Sequence, residues 1–303
     1  MRAVDIKPTR EWFQLLPSAE NLQLDLRRRE ACLEAAREAQ QIYHLAADMG
    51  GMGFVEANRA LCMLSVLIDT HMLEAARATG CERFFYSSTA CVYQADKQAD
   101  PANRGLRESD VYPAMPEDGY GWQKLFTERL CRHFREDFGL ATRVARYHNV
   151  YGELGTYGGG REKAPAALCR KVAEAVVSGR HEIDIWGDGK QSRSFTYIDD
   201  CVHGTRAIMA SDCAEPLNLG SDELVTVDQL VDLVEEIAGV RLERRHDLSA
   251  PQGVRGRCSD NTLIRRTLGW APSTTLRTGI ERTYHWIYDQ VVAGEKRRTT
   301  FIS

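Results

Sequence analysis

Short β-rich runs alternate with long amphipathic stretches through the first two-thirds of the chain, and this rhythm limits the fold more than any other feature. Met1–Asp5 (MRAVD), Asn21–Leu26 (NLQLDL), Ile42–Ala47 (IYHLAA), Arg83–Ser88 (RFFYSS) and Ala141–Tyr147 (ATRVARY) read as strands. Helices are expected between them, over Val55–Ala78 and Tyr120–Phe138. Such units build a parallel sheet covered by helices. Their right-handed crossovers give an α/β, doubly wound, Rossmann-type fold. The last third is less regular. Ile183–Trp186 and Ser194–Tyr197 read as short strands about the turn Gly187-Asp188-Gly189. Thr226 and Gln229 form a capping box for a helix with Val227, Leu230, Val231, Val234 and Ile237 on one face, stopped by Gly239. A final helix is expected from Leu276 to Val292. The pattern divides into a Rossmann-type domain over 1–150 and a smaller lobe over 151–303, with segments about 191–218 returning to the first.

Composition narrows the partners. Of 303 residues, 43% are hydrophobic and 27% charged, which excludes a disordered or fibrous chain. A formal net charge of −4 gives no reason to expect nucleic acid or an acidic membrane surface. Apolar runs are too short to span a bilayer, and no signal-peptide core opens the chain. Nine cysteines, an odd number without a CxxC pair, read as reduced thiols in a cytoplasmic protein. His44, His148 and His203 have no metal-ligand spacing, and no metal is expected.

A dinucleotide-binding sheet usually opens with a strand, a Gly-rich turn and a helix whose N-terminus holds the pyrophosphate; an acidic residue for the ribose follows. Asp5 has the look of that acidic residue, yet only four residues precede it. The first βα unit is therefore expected to be absent, through a misassigned start or a truncation, and NAD binding by the chain as given is expected to be weak. Gly50-Gly51-Met52-Gly53 departs from GxGxxG and has no P-loop lysine. A flexible turn and a substrate-facing turn stand beside the phosphate-loop reading.

Tyr120 and Lys124 form a YxxxK element on a predicted helix, where residues four apart share a face. A nearby ammonium is expected to lower the tyrosine pKa so that the phenol relays a proton during hydride transfer. Alone the pattern is weak. Ser87-Ser88-Thr89-Ala90-Cys91 ends a strand about 30 residues earlier, where α/β sheets bind their ligands, and the combination is stronger.

With these residues in place, the chain resembles nucleotide-sugar epimerases of the extended short-chain dehydrogenase/reductase type, and among them the GDP-mannose 3,5-epimerases. The likeness is carried by Leu45–Phe54 (LAADMGGMGF), Ser88–Tyr93 (STACVY), Tyr147–Gly152 (YHNVYG), Gly159–Ala167 (GGREKAPAA), Trp186–Gly189 (WGDG), Gln191–Thr196 (QSRSFT) and Gly253–Arg257 (GVRGR). The resemblance implies NAD as cofactor and a nucleotide sugar, a GDP-hexose, as substrate. It implies transient oxidation at C4, with Cys91 and Lys163 exchanging protons at C3 and C5 before re-reduction. Thr89, where the family has serine, keeps a hydroxyl for the C4 oxygen. Gln94 and Glu153 stand where the family has proline, and Tyr157-Gly158 where it has Trp-Lys.

By the same resemblance Asp5, Asp25, Leu45, Ala46, Ala47 and Ser87 join Tyr120 and Lys124 in holding NAD. Met49, Gly50, Asn149, Glu162, Lys163, Lys171, Gln191, Arg193, Arg255 and Arg257 line the substrate. Plainer roles are open to several of these: Cys91 as a packed thiol, Asn149 and Asp25 as turn residues, the lysines and arginines as solvated charges. The resemblance also implies a homodimer packed through the YxxxK helix. A related decarboxylase, 4,6-dehydratase or 4-epimerase, and a sugar-binding remnant without activity, are the competing readings; a dehydratase would carry an Asp-Glu pair near Thr89–Cys91, which is not there.

Overall fold

Arg83–Thr89 is buried at every position after Arg83, as a strand covered on both faces must be. In the computed structural model, which describes residues 1–102 and 105–300, this strand lies inside a parallel sheet. The strands of the first half are β1 (Arg2–Asp5), β2 (Glu20–Gln23), β3 (Gln41–His44), β4 (Arg83–Thr89) and β5 (Ala141–Tyr147). Between them run α1 (Arg29–Ala36), α2 (Met52–Ala57), α3 (Arg59–Met63), α4 (Ser65–Ala78) and α5 (Tyr120–Phe138). There follow β6 (Val150–Tyr151), α6 (Ala164–Ser178), β7 (Glu182–Trp186), β8 (Ser192–Ser194), β9 (Thr196–Tyr197), α7 (Ile198–Ala210) and β10 (Leu217–Leu219). The chain ends with β11 (Leu224–Thr226), α8 (Val227–Ala238), β12 (Glu243–Asp247), β13 (Gly256–Arg257), α9 (Thr262–Leu268) and α10 (Leu276–Thr300).

The main sheet has the order β10-β5-β4-β3, all parallel, with Ser87 opposite Ala145 and Thr89 opposite Tyr147. β1 pairs with β2 as a separate parallel pair, so the expected doubly wound sheet lies in two pieces. Packing joins them: Val4, Leu24 and Leu26 share one core with Ile42, Phe84 and Val144 and with the inner faces of α1 and α4. Arg2 adds a polar tie, donating to the carbonyls of Glu34, Ala35 and Arg37 at the end of α1, where helix carbonyls lack partners. On the opposite face Phe85 and Ala145 pack with Cys201, Ile208 and Met209 of α7 and Ile264 of α9. A separate core gathers α6, β7, α8 and α10 around Val172, Ile185, Leu230, Val234 and Ile280.

The structure corrects the single helix expected over Val55–Ala78, which is broken into α2, α3 and α4. At Asn58 the backbone leaves the helix (φ −130°, ψ 40°) while the side-chain amide donates to the Phe54 carbonyl at 2.9 Å. A short polar side chain competes in this way with the helix's own bonding. The Thr226 cap forms as expected: its hydroxyl accepts from Gln229 N–H at 3.1 Å, and the Gln229 side chain accepts from Thr226 N–H at 2.8 Å. The last helix runs eight residues past the expected Val292, to Thr300.

One buried ion pair ties the layers together. Arg146 of β5 grips Glu128 of α5 with two bonds, 2.9 and 2.7 Å, each side chain 4% exposed, and Ser88 of β4 donates to the same carboxylate at 2.5 Å. Removing one member strands the other charge without water. Glu128→Ala should therefore lower unfolding stability by about 3–5 kcal/mol in urea titration. A loss under 1 kcal/mol would mean that solvent reaches Arg146.

Candidate active site

The carboxyl end of β4 sets the site. Thr89 caps the turn that follows, its hydroxyl accepting from Cys91 N–H at 3.2 Å. Helix α5 begins against the same turn, because Gly121 has no side chain: a Cβ there would lie 2.4 Å from the Cys91 carbonyl oxygen. Glu117 N–H donates to that oxygen at 3.0 Å. Tyr120, the first residue of α5, is thereby buried beside half-buried Cys91, with Val55, Cys62, Met49 and Phe54 around it.

Lys124 lies one turn along the same face, 1% exposed. Its ammonium donates to the Ser87 carbonyl at 2.9 Å and lies 4.7 Å from the Tyr86 ring centre and 5.8 Å from that of Tyr120. This changes the expected electrostatics. Burial pushes the Tyr120 phenol above its ordinary range, and the Cys91 charge adds to the rise, while a bond with Thr89 opposes it. The Lys124 charge is directed at a carbonyl rather than at the phenol. Burial likewise lowers the Lys124 ammonium, opposed first by the charge of Asp69.

Lys163 reaches the site by a second close approach. Gly51 N–H donates to the Arg161 carbonyl at 3.0 Å, and a Cβ on Gly51 would lie 2.4 Å from the Glu162 carbonyl oxygen. Arg161 fastens the contact, donating to Asp48 at 2.7 Å and to the Met49 carbonyl at 3.2 Å, with its guanidinium 3.9 Å from the Phe54 ring centre. The glycine turn thus docks the segment carrying Lys163. Gly50 is buried beneath Phe54, where a Cβ would meet the Phe54 Cβ at 2.8 Å. Burial lowers the half-buried Lys163, and the charges of Cys91 and then Cys201 oppose that.

The arginines divide by partner. Arg257 donates to Gln98 at 2.7 Å and to the Cys91 sulfur at 3.5 Å and pairs with Glu117, which puts it, rather than Arg255, beside the thiol. Arg255 makes two 3.0 Å bonds to Asp188, holding that carboxyl down at about 2. Arg193 donates to the carbonyls of Ser192, Gln252 and Val254, and burial lowers it to about 10. Gln191 donates to the Trp186 carbonyl at 2.8 Å. Lys171 donates to the Asp184 carbonyl at 2.7 Å, and Glu162 accepts from Gly160 N–H and Arg170. Asn149 sits in the left-handed region (φ 45°), and its amide donates to the Ser194 carbonyl at 3.0 Å.

The carboxyl ends of the strands also gather the residues expected to hold a dinucleotide. Asp5 ends β1, its carboxylate accepting from Lys7 N–H. Leu45, exposed, and Ala46 and Ala47, half-buried, follow β3, and the buried Ser87 donates to the His44 carbonyl at 3.1 Å. Asp25 is clasped by Arg27 through both oxygens, at 2.9 and 2.8 Å, so its carboxylate is already engaged. Three groups escaped sequence reasoning: Gln98 and Glu117 around Arg257, and Asp69 beneath Lys124. No local pattern marks them, because their partners lie far along the chain.

Residues 2–220 match the family model described as NAD dependent epimerase/dehydratase. The chain belongs to this family. Among curated members, the GDP-mannose 3,5-epimerase of Arabidopsis thaliana is 47% identical over 269 residues, 88% of this chain and 70% of that protein. GDP-mannose 3,5-epimerase 1 of Oryza sativa subsp. indica is 47% identical over 277 residues, 91% of this chain and 71% of that one. The UDP-glucose 4-epimerase of Thermotoga maritima, solved with UDP-glucose, has the same fold, with a TM-score of 0.85 at 24% identity over 96% of this chain and 91% of that one. NAD is the family's cofactor; Asp5, Leu45–Ala47, Ser87, Tyr120 and Lys124, the residues the sequence assigns to it, lie in or directly after β1, β3 and β4 or in α5.

The two glycine contacts are a test of this epimerase site. Gly51→Ala and Gly121→Ala each drive a methyl group into a backbone oxygen, so kcat/KM should fall at least about tenfold in each, since small misplacements of reacting groups are costly. Gly158→Ala, which meets only Arg170 at 3.7 Å, should leave kcat/KM near wild type. Equal kinetics in all three would mean that these close approaches do not place Tyr120 and Lys163.

Proposed function

We propose that the chain is a GDP-mannose 3,5-epimerase, or an epimerase of a closely similar GDP-hexose, that oxidises C4, exchanges protons at C3 and C5, and reduces C4 again. The observation that supports this reading is the pair of backbone approaches that only glycine permits, Gly121 against the Cys91 carbonyl and Gly51 against the Glu162 carbonyl, which set the start of the Tyr120 helix and the segment of Lys163. The 47% identity to the plant enzymes supports the choice of substrate. NAD supplies the hydride acceptor and donor. Tyr120 is the group we assign to the C4 hydroxyl proton; burial favours its neutral phenol, and the positive charge of the oxidised nicotinamide, when NAD is bound, would favour the phenolate that accepts that proton. The C4 ketone then acidifies the neighbouring C–H bonds. Cys91 and Lys163 remove and return those protons from opposite sides of the sugar, because inversion needs delivery to the face opposite removal. Arg193, whose bonds run to backbone carbonyls, is the cation we assign to the diphosphate. We assign Asp5, Leu45, Ala46 and Ala47 to NAD, Met49, Gly50, Glu162, Lys171, Gln191, Arg255 and Arg257 to the walls of the sugar-nucleotide site, the cores on the two faces of the main sheet to a cofactor lobe, and the core around α6, β7, α8 and α10 to a substrate lobe.

Cys91→Ala and Lys163→Met should each leave C4 oxidation in place and lower inversion about a hundredfold to ten-thousandfold. Tyr120→Phe should stop oxidation and with it all solvent-deuterium incorporation. NMR of the sugar products in deuterated water, with NADH absorbance followed in parallel, separates the two steps. Near-normal yields of inverted sugar from either base variant would remove that residue from the mechanism.

Two further features belong to the same reading. Nine unpaired thiols, seven of them buried, support a reducing, cytoplasmic setting. Among the described residues no helix is long and apolar enough to cross a membrane. Leu64, Leu67, Trp122 and Phe126 are exposed around α4 and α5, and we assign this apolar face to a second copy of the chain. Phe126→Glu should convert a dimer to a monomer in light scattering, while a wild type that is monomeric at every concentration would end the assignment.

A further inference from the structure

Beneath the Tyr120–Lys124 helix lies a carboxylate that the reaction above does not use. Asp69 of α4 is fully buried. His44 Nε2 donates to it at 2.7 Å, the Tyr86 hydroxyl at 3.0 Å, the Thr127 hydroxyl at 2.6 Å, and the Gln123 amide completes the set. These donors come from β3, β4 and α5, so the anion is held where three elements meet. Tyr86 connects it to the site: its hydroxyl is bonded to Asp69 and its ring lies 4.7 Å from the Lys124 ammonium. No donor to Asp69 is Lys124 itself, which is turned to the Ser87 carbonyl.

We propose that Asp69 is a positioning residue for the Tyr120–Lys124 pair: a fixed buried anion, locked by His44, Tyr86, Gln123 and Thr127, that keeps Lys124 charged at the strand ends. The proposal rests on the reading of Tyr120 and Lys124 as the redox pair. Lys124 sits in a dry site, where an ammonium without a counter-charge tends to lose its proton. The groups facing it are the Ser87 carbonyl and Tyr86 from β4, Asp69 from α4, and Tyr120, Glu128 and Cys131 from its own helix. Glu128 is already neutralised by Arg146, and Cys131 is pushed far up by burial and so stays a neutral thiol. Asp69 is different. Burial pushes its carboxyl up, but the His44 bond and the Lys124 charge outweigh that and leave it below its ordinary value, so it is ionised at neutral pH. Of these three acidic groups it acts on Lys124 first, ahead of Cys131 and Glu128. The same negative charge opposes ionisation of Tyr120, after burial and Cys91.

The sign follows. Removing the charge of Asp69 lowers the pKa of both Lys124 and Tyr120, since it takes an attraction from the ammonium and a repulsion from the phenolate. Both limbs of the pH–rate profile then move toward acid. A residue serving only to hold the fold would lower the rate or the melting temperature and leave both limbs in place.

The test begins without catalysis. In the full chain labelled with 13Cε-lysine, the Lys124 signal is assigned by its loss in Lys124→Met and followed through a pH titration. Asp69→Asn, which keeps shape and hydrogen-bonding capacity, should move the Lys124 midpoint down by about one pH unit. Thr127→Val removes one donor but not the charge and should leave the midpoint near wild type. If Asp69→Asn does not fold, Asp69→Ser, smaller and also uncharged, is read in the same way. An unmoved midpoint in the uncharged variant, or an equal movement in Thr127→Val, overturns the proposal. In the pH profile of kcat/KM, both limbs should move toward acid in Asp69→Asn by a similar amount. A Tyr120→Phe enzyme with wild-type activity would instead remove the redox reading, leaving the lysine titration to judge Asp69 by itself.

Discussion

Positive charge taken out of water at the carboxyl ends of a parallel sheet is the condition that organises this molecule. Lys124, Arg146, Arg193 and Arg257 are all buried or nearly so, and a cation in such a place is costly unless something nearby answers it. Each is answered differently. Arg146 meets a carboxylate through two bonds and serves to clamp α5 onto β4 and β5. Arg257 divides itself among Glu117, Gln98 and the Cys91 sulfur, which fixes β13 over the turn that carries the thiol. Arg193 has carbonyl dipoles only, and burial lowers it accordingly. The degree of neutralisation sorts the arginines: Arg146 and Arg257 are met by carboxylates, and Arg193 by backbone carbonyls.

Backbone geometry supplies what electrostatics alone cannot. Cys91, Tyr120 and Lys163 come from a turn, a helix start and a helix cap far apart in sequence. Gly121 brings the second to the first and Gly51 brings the third. In both cases the atom that a methyl group would strike is a main-chain oxygen, so rotation of a side chain cannot relieve the contact. Only a residue without Cβ allows this approach. The hydroxyl of Thr89 caps the Cys91 turn, and its influence on the Tyr120 phenol opposes the effect of burial there.

Much of the frame was legible in the sequence because periodicity is local. Ala141–Tyr147 and Tyr120–Phe138 stand as read, and the Thr226 capping box forms bond for bond. The break at Asn58 was not legible, since the same residue in the middle of a helix could have pointed to solvent. Nor was the partition of β1 and β2 from the main sheet, which depends on hydrogen bonds that a strand pattern does not reveal. Within the site, YxxxK announced itself by spacing, whereas the bond from Arg257 to Cys91 spans 166 positions. His44, without metal-ligand spacing in the sequence, is the partner of a buried aspartate 25 residues on.

The coupling between Cys91 and Lys163 has a sign that bears on how one site can both take and give a proton. Burial alone drives Lys163 toward the neutral amine, and a negative charge on Cys91 restores its attraction for a proton. A thiolate that accepts a proton from the sugar loses its charge, and at that moment the neighbouring ammonium becomes more acidic. Protonation of one member therefore prepares the other to donate. In the proposed reaction, the buried environment that makes Lys163 a poor cation in isolation would make it the acid that returns the proton.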